Sequence, residues 1–250
     1  SLLISQTYDW SPFGSQILPD NQNAFIFGDA NALSDDGTII VVGDQGNSDN
    51  GSESGNIRVF EYLSGFWTQI GSNINGDSVN SGGRFGISVA ISGDGSIVAA
   101  GARDYNNNKG RVRVFENISG TWTQIGNGIV GPNNNDRYGG SISLSNDGSI
   151  VAFGAGTANA TNSTANNNNP GSVLIYENVL GTWTQIGSDI DGDSNGDKFG
   201  QAISLNSAGS IIAIGASQED GSSGSGGYAR VFENISGNWT QVGSDFTALN

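Results

Sequence analysis

The sequence repeats itself. Tryptophans stand at positions 10, 67, 122, 183 and 239, with spacings of 57, 55, 61 and 56 residues, and four of them open the phrase Trp-Thr-Gln-Ile/Val-Gly. Trp10 opens the divergent version Trp-Ser-Pro-Phe-Gly. Self-similarity at a period of this size means that one supersecondary unit is copied along the chain, and that the copies bury their core against one another.

The clearest copy runs from Arg84 to Gly126 and divides into four strand signals. From Phe85 to Ser92, Ile87, Val89 and Ile91 alternate with Ser88, Ala90 and Ser92, the period of two of a strand. Asp94-Gly95 follows as a hairpin signal of the type I′ kind, in which both central residues take positive φ. The second strand, Ser96 to Ala102, is a continuous Ile-Val-Ala-Ala-Gly-Ala run, a pattern expected where both faces are buried. After a variable Asn/Gly loop, Arg111 to Glu116 reads as a third strand. Ser119-Gly120 turns it into a fourth, Trp122 to Gly126.

The other copies keep this order, with turns at Asp36-Gly37, Asp147-Gly148 and Ala208-Gly209. Length variation sits between the second and third strands, longest at residues 156–171, as a surface loop permits. A lone four-stranded meander cannot cover both its faces, so the units must stack, and radial stacking gives a β-propeller. The expected fold is therefore all-β: four-stranded antiparallel blades in one domain over residues 1–250, with blades at 21–75, 76–130, 131–190 and 191–250 and a partial blade at 1–20. A β-sandwich would not explain the recurring Trp, Asp-Gly and Arg-Val-Phe-Glu phrases. Leu2 to Tyr8 and Trp10 to Gln16 read as an extra N-terminal hairpin, a third and fourth strand without a first and second. That surplus suits a four- or five-bladed ring, part of a larger propeller, or a hairpin docked on another copy, since unpaired edges invite pairing.

Composition narrows the partners. Nine Lys and Arg against 24 Asp and Glu give a net charge of -15, so nucleic acid and anionic membrane surfaces are repelled. No apolar run approaches the roughly 18 residues needed to span a bilayer, so no membrane insertion is expected. The chain has no His, Cys or Met, which removes the Ser/His/Asp and Cys/His nucleophile systems and the usual zinc ligand sets. Two-carboxylate glycoside hydrolysis stays open chemically.

Phe85-Gly86 with Ser88-Val89-Ala90, the later Gly101-Ala102, and their recurrence at Phe199-Gly200 and Gly215-Ala216 resemble FG-GAP repeats, the units of integrin-α-type propellers. Blade one departs with Phe27-Gly28-Asp29 and Gly43-Asp44, and blade three has Tyr138-Gly139. The resemblance implies recognition or adhesion at an extracellular or cell-surface location. It also implies calcium between first and second strands, but here those positions hold bare turns such as Gly93-Asp94-Gly95, too poor in oxygens for the ion.

A different segment has the alternating oxygens of a calcium loop: Asp189, Asp191, Asp193, Asn195 and Asp197, set against the bland reading of a solvated interblade turn. Asn50, Asn117, Asn159, Asn162, Asn234 and Asn238 head glycosylation sequons. One tryptophan per blade is expected to pack between blades. Arg58, Arg113 and Arg230 share one strand position, occupied by Leu174 in blade three, and are expected to form ion pairs. The reading that follows is a non-enzymatic adhesion or structural module making contacts with other proteins or copies of itself. A carbohydrate-binding propeller, with Tyr105 beside a ligand loop, and a two-carboxylate glycoside hydrolase are the alternatives.

Overall fold

The run Ile-Val-Ala-Ala-Gly-Ala forms the strand Ile97–Ala102, buried from Val98 onward. The computed structural model of the protein describes residues 11–20, 26–77, 83–156, 170–217 and 226–247, and in it each repeat is one antiparallel sheet with that strand second in order. Blade one comprises Phe27–Leu33, Ile39–Asp44, Asn56–Leu63 and Phe66–Gln69, with a short extension Ile74–Asn75. Blade two comprises Val89–Ile91, Ile97–Ala102, Arg111–Ile118 and Thr121–Gln124, extended by Ile129–Val130. Blade three has Ser141–Leu144, Ile150–Ala155, Ser172–Val179, Thr182–Gln185 and Ile190–Asp191; blade four has Ala202–Leu205, Ile211–Ala216, Tyr228–Ile235, Asn238–Gln241 and Phe246–Thr247. The four-stranded meander expected from the repeat is what forms.

The fourth strand of each blade is one path interrupted by a bulge. In blade one, Phe66–Gln69 pairs with the end of the third strand, Ile70 donates to Val59, and Ile74 resumes pairing opposite Ile57. Gly71, at φ 69°, makes the bend, with Gly126, Gly187 and Gly243 in the same place.

The hairpin between first and second strands differs from the expected type I′ turn. Only the glycine has positive φ, as at Gly95 (75°), while Asp94 does not. The aspartate instead organises the turn through its side chain: Asp94 Oδ1 accepts from Ser92 Oγ at 2.7 Å and from the Ser96 amide at 2.9 Å, while Ser92 Oγ accepts from the Ile97 amide. Asp36 and Asp147 repeat the arrangement with Ser34 and Thr38, and with Ser145 and Ser149. Blade four has Ala208 in that place, and Asn206 takes over, accepting from the amides of Ser210 and Ile211. Asp-Gly marked the turn because Asp bonds its own backbone two residues on, a signal shared with turns other than I′.

The cores lie between blades. Val41, Ile57 and Val59 of blade one pack with Phe85, Val98 and Phe115 of blade two, and equivalent clusters join blades two to three and three to four. The Phe-Gly and Gly-Ala phrases of adjacent blades meet at these joints. Phe85 is 1% exposed and its amide donates to Ser54 of the preceding blade; Tyr138 and Phe199 do likewise to Lys109 and Pro170. The carbonyl of Gly86 presses on Gly43 so closely that a Cβ there would lie 2.0 Å from it. Gly101 meets Gly139 and Gly154 meets Gly200 at the same 2.0 Å. Only glycine admits this backbone-to-backbone approach.

Candidate functional site

Each joint is also tied at its outer rim. Trp122, Trp183 and Trp239 donate their indole N–H to the carbonyls of Ile70, Ile125 and Ile186 in the preceding blade, at 2.9 to 3.0 Å. The expectation that the tryptophans pack between blades holds for these three. Trp67 donates in the same way to Phe13 at 3.0 Å. Residues 11–20 therefore sit where the outer strand of a preceding blade would lie, although none of them is assigned to a strand. Phe13 stacks on Tyr62 with ring centroids 4.1 Å apart, and Arg58 pairs with Asp20 at 2.6 Å. Leu2 to Tyr8 and Trp10 lie outside the described residues.

The arginines of the third strands are ion-paired across the joints. Arg58 reaches Asp20, Arg113 lies 3.7 Å from Asp77, and Arg230 binds Asp193. Each acid stands ten residues after the tryptophan of the preceding copy. In the joint where Leu174 replaces the arginine, Pro132 replaces the acid. The Arg230 guanidinium holds Asp193 and Asp245 below the usual carboxylate range and its own proton is held tighter in turn.

Blade four makes no further joint of this kind among the described residues. Gly215, the counterpart of Gly43, Gly101 and Gly154, meets no described residue nearer than Ala202 of its own sheet, at 3.5 Å. Gly243, the counterpart of the bulge glycines whose Cβ would strike the next blade, has nothing within 4 Å among the described residues. The strand Ile211–Ala216 is exposed on alternate residues, whereas Ile97–Ala102 and Ile150–Ala155 are buried on both faces. Ala202, Gly215, Ala216, Tyr228 and Phe246 line a shallow groove of about 490 Å³ on this flank. Phe246 is 65% and Val242 47% exposed here, while at the opposite end Phe13 is 62% and Leu18 59% exposed.

The expected calcium segment is not gathered around one point. Asp189 accepts from Gln185, Asp193 is taken by Arg230, and Asp197, 2% exposed, accepts from the Tyr228 hydroxyl at 2.9 Å. Asp191 lies in the short strand paired with Ser172, and Asn195 is exposed. Among the described residues no group of three or more acidic side chains is placed to hold a metal ion. Alternating oxygens marked a turn whose acids serve separate hydrogen bonds.

Tyr105 lies in the short turn of helix Tyr105–Asn108 with its ring under the Arg111 guanidinium, 4.9 Å away, and packs against the core between blades one and two. Asn117 and Asn234 each accept a hydrogen bond from a turn amide, Gly120 and Gly237, as does Asn178, which heads no sequon. Turn-making thus accounts for asparagine at that position. Asn50 donates to the Gly76 carbonyl, Asn238 opens the fourth strand of blade four, and Asn159 and Asn162 lie outside the described residues.

No family model and no curated protein matches the sequence. The fold is shared with solved structures. A putative 6-phosphogluconolactonase from Bacteroides uniformis is 16% identical with a TM-score of 0.56, over 87% of this chain and 54% of its own. KlAtg21 in complex with the coiled-coil of AgAtg16 is 15% identical with a TM-score of 0.56, over 87% and 57%. TolB from Acinetobacter baumannii is 13% identical with a TM-score of 0.46, over 85% and 42%. The chain spans little more than half the length of the first two. The likeness to the first two establishes the β-propeller and, at these identities, nothing finer. It does overturn one expectation: a fold of this kind bears the name of a lactonase, so the exclusion of catalysis, argued from missing His and Cys, does not stand.

Proposed function

We propose that the protein is a β-propeller module that associates edge to edge, the uncovered flank of blade four receiving the N-terminal flank of a second copy. One observation carries this reading: Gly215, Gly243, Val242 and Phe246 stand in the places that form interblade joints elsewhere in the chain, and here they face outward. Three internal joints set out what such a flank accepts, namely a neighbouring sheet of the same repeat. On the N-terminal flank residues 11–20 fill the Trp67 and Arg58 joint, and the exposed Phe13 and Leu18 of that segment are the apolar surface a second copy brings. Because the two surfaces differ, the contact is head to tail and can propagate into a ring or a filament. An exposed sheet face and edge of this kind favours such pairing. Among the folds it resembles, KlAtg21 was solved holding a coiled-coil, a protein partner on a propeller.

Sedimentation velocity on the full chain tests the reading. Association should increase with concentration and with salt, since each copy carries a net charge of -15. Phe246→Asp and Gly215→Arg should each leave a folded monomer. A wild-type chain that stays monomeric at all concentrations and salt levels overturns the proposal.

A further inference from the structure

The protein has nine cationic side chains, and three of them line one recess. Arg103, Arg137 and Lys198 surround a cavity of about 390 Å³ between blades two, three and four, with Ser141, Gly200 and Gln201 in the wall. A fourth cation, Arg84, stands beside the group. Arg84, Arg103 and Arg137 approach one carboxylate, Asp104, at 3.4, 3.8 and 3.5 Å. Among the described residues two acids pair with the three guanidiniums, Asp104 and, on Arg84 at 3.2 Å, Glu53, so the group keeps one net positive charge within a strongly acidic protein. The Arg103 Nε is buried and makes no hydrogen bond to a described residue.

Backbone geometry argues that the cations are placed rather than scattered. Arg84, Arg137 and Lys198 are counterparts, each preceding the aromatic residue that enters an interblade joint. All three have positive φ, at 53°, 61° and 54°. That conformation costs a side-chain-bearing residue roughly 1 kcal/mol or more, and Gly or Asn would bear it with less strain. Three successive blades nonetheless carry a long cation there, all aimed at the rim where first strands begin and second strands end. The neighbouring wall offers more polar groups: Ser141 donates to the Gly200 carbonyl at 2.6 Å, and Ser217 donates to Gln201 at 2.5 Å.

We infer that this recess binds the oxyanion group of a small acidic ligand, a phosphate or a carboxylate. Arg137 and Lys198 donate charge-assisted hydrogen bonds to it, and Asp104 holds the guanidiniums of Arg103 and Arg137 in orientation. The recess admits a small anion, while the acidic remainder of the protein repels an extended polyanion. This inference is independent of the edge-to-edge association.

The test is an amide NMR titration of the full chain with inorganic phosphate, acetate and, as an uncharged control, glucose. Saturable shifts at Gly140, Gly156 and Gly200 are expected with at least one of the two anions, and the stronger of them identifies which oxyanion the recess prefers. Arg137→Asn and Lys198→Asn suit the left-handed backbone and should each weaken binding about tenfold, the loss of one charge-assisted bond. Lys109→Gln removes the same charge from outside the recess, where Nζ meets the Pro132 carbonyl, and should change affinity less than about twofold. The inference fails if neither anion produces saturable shifts at those glycines, if glucose produces them equally, or if the Lys109 variant weakens binding as much as the other two.

Discussion

Arg230 of blade four donates to both oxygens of Asp193 in blade three, one of them through Nη1 at 3.0 Å, so that a single guanidinium ties two blades at their outer rim. The same guanidinium also binds Asp245 of its own blade. Where Leu174 stands in place of the arginine, Pro132 stands in place of the acid, so neither an unpaired charge nor a lone acid is left at that joint.

This pair should make the blade-three to blade-four joint acid-sensitive. Asp193 and Asp245 are held below their ordinary value of 3.8 by hydrogen bonds from Arg230. Their contribution is present above that value and disappears as pH falls through the lower folded values. Both acids are partly exposed, so the contribution is under roughly 1 kcal/mol each. Melting temperatures of wild type and Arg230→Gln should differ at about pH 6 and converge toward about pH 2. A gap that is unchanged in acid contradicts this.

The contrast between Gly101 and Gly215 tests which blade faces are covered. A Cβ at Gly101 would lie 2.0 Å from the Gly139 carbonyl and 2.6 Å from Ser88 Oγ, so Gly101→Ala should cost about 3 kcal/mol by overpacking. Gly215 has neither that neighbour nor a positive φ, so Gly215→Ala should be neutral or stabilising by up to about 1 kcal/mol in the monomer. Urea denaturation measures both. Equal costs at the two sites would mean that blade four is covered like the others.

Asp94 should matter through its side chain. Asp94→Ala removes the acceptor for Ser92 Oγ and the Ser96 amide and should cost about 1 kcal/mol, a value kept low because the turn is partly exposed. Asp94→Asn should recover part of the loss, since an asparagine Oδ1 in the same place accepts from the same hydroxyl and amide without the charge. Calorimetry ranks the three proteins, and an alanine variant as stable as wild type would remove the turn's assigned role.

Trp183 should be worth more than its ring. Trp183→Phe keeps an aromatic side chain but strands the Ile125 carbonyl, which accepts the indole N–H at 2.9 Å, at a cost of about 1 to 2 kcal/mol. Equilibrium unfolding in urea measures this. A cost near zero would leave only ring packing at the joint.

Blade architecture was legible in the residues because it is local. Period-two alternation, small residues in the second strand and Ser-x-Asp-Gly at the hairpin act within one copy, and the copies confirm one another. The turn type was misread at Asp94-Gly95 because its decisive bonds come from the Asp side chain, which the Asp-Gly pair alone does not distinguish from a type I′ signal. At Asp189 to Asp197 the alternating acids say nothing of Gln185, Arg230 and Tyr228, the partners that take three of them in the fold.

What the amino-acid order decided by itself is the blade: four strands, their turns, and the glycines that let one backbone press on another. Only the tertiary structure decided which faces are covered, because burial depends on what lies across a joint, and Gly215 and Gly101 are alike in their own phrases. It also decided where charge collects: Arg103, Arg137 and Lys198 are far apart along the chain and come together at one recess because each ends or begins a strand near the same rim.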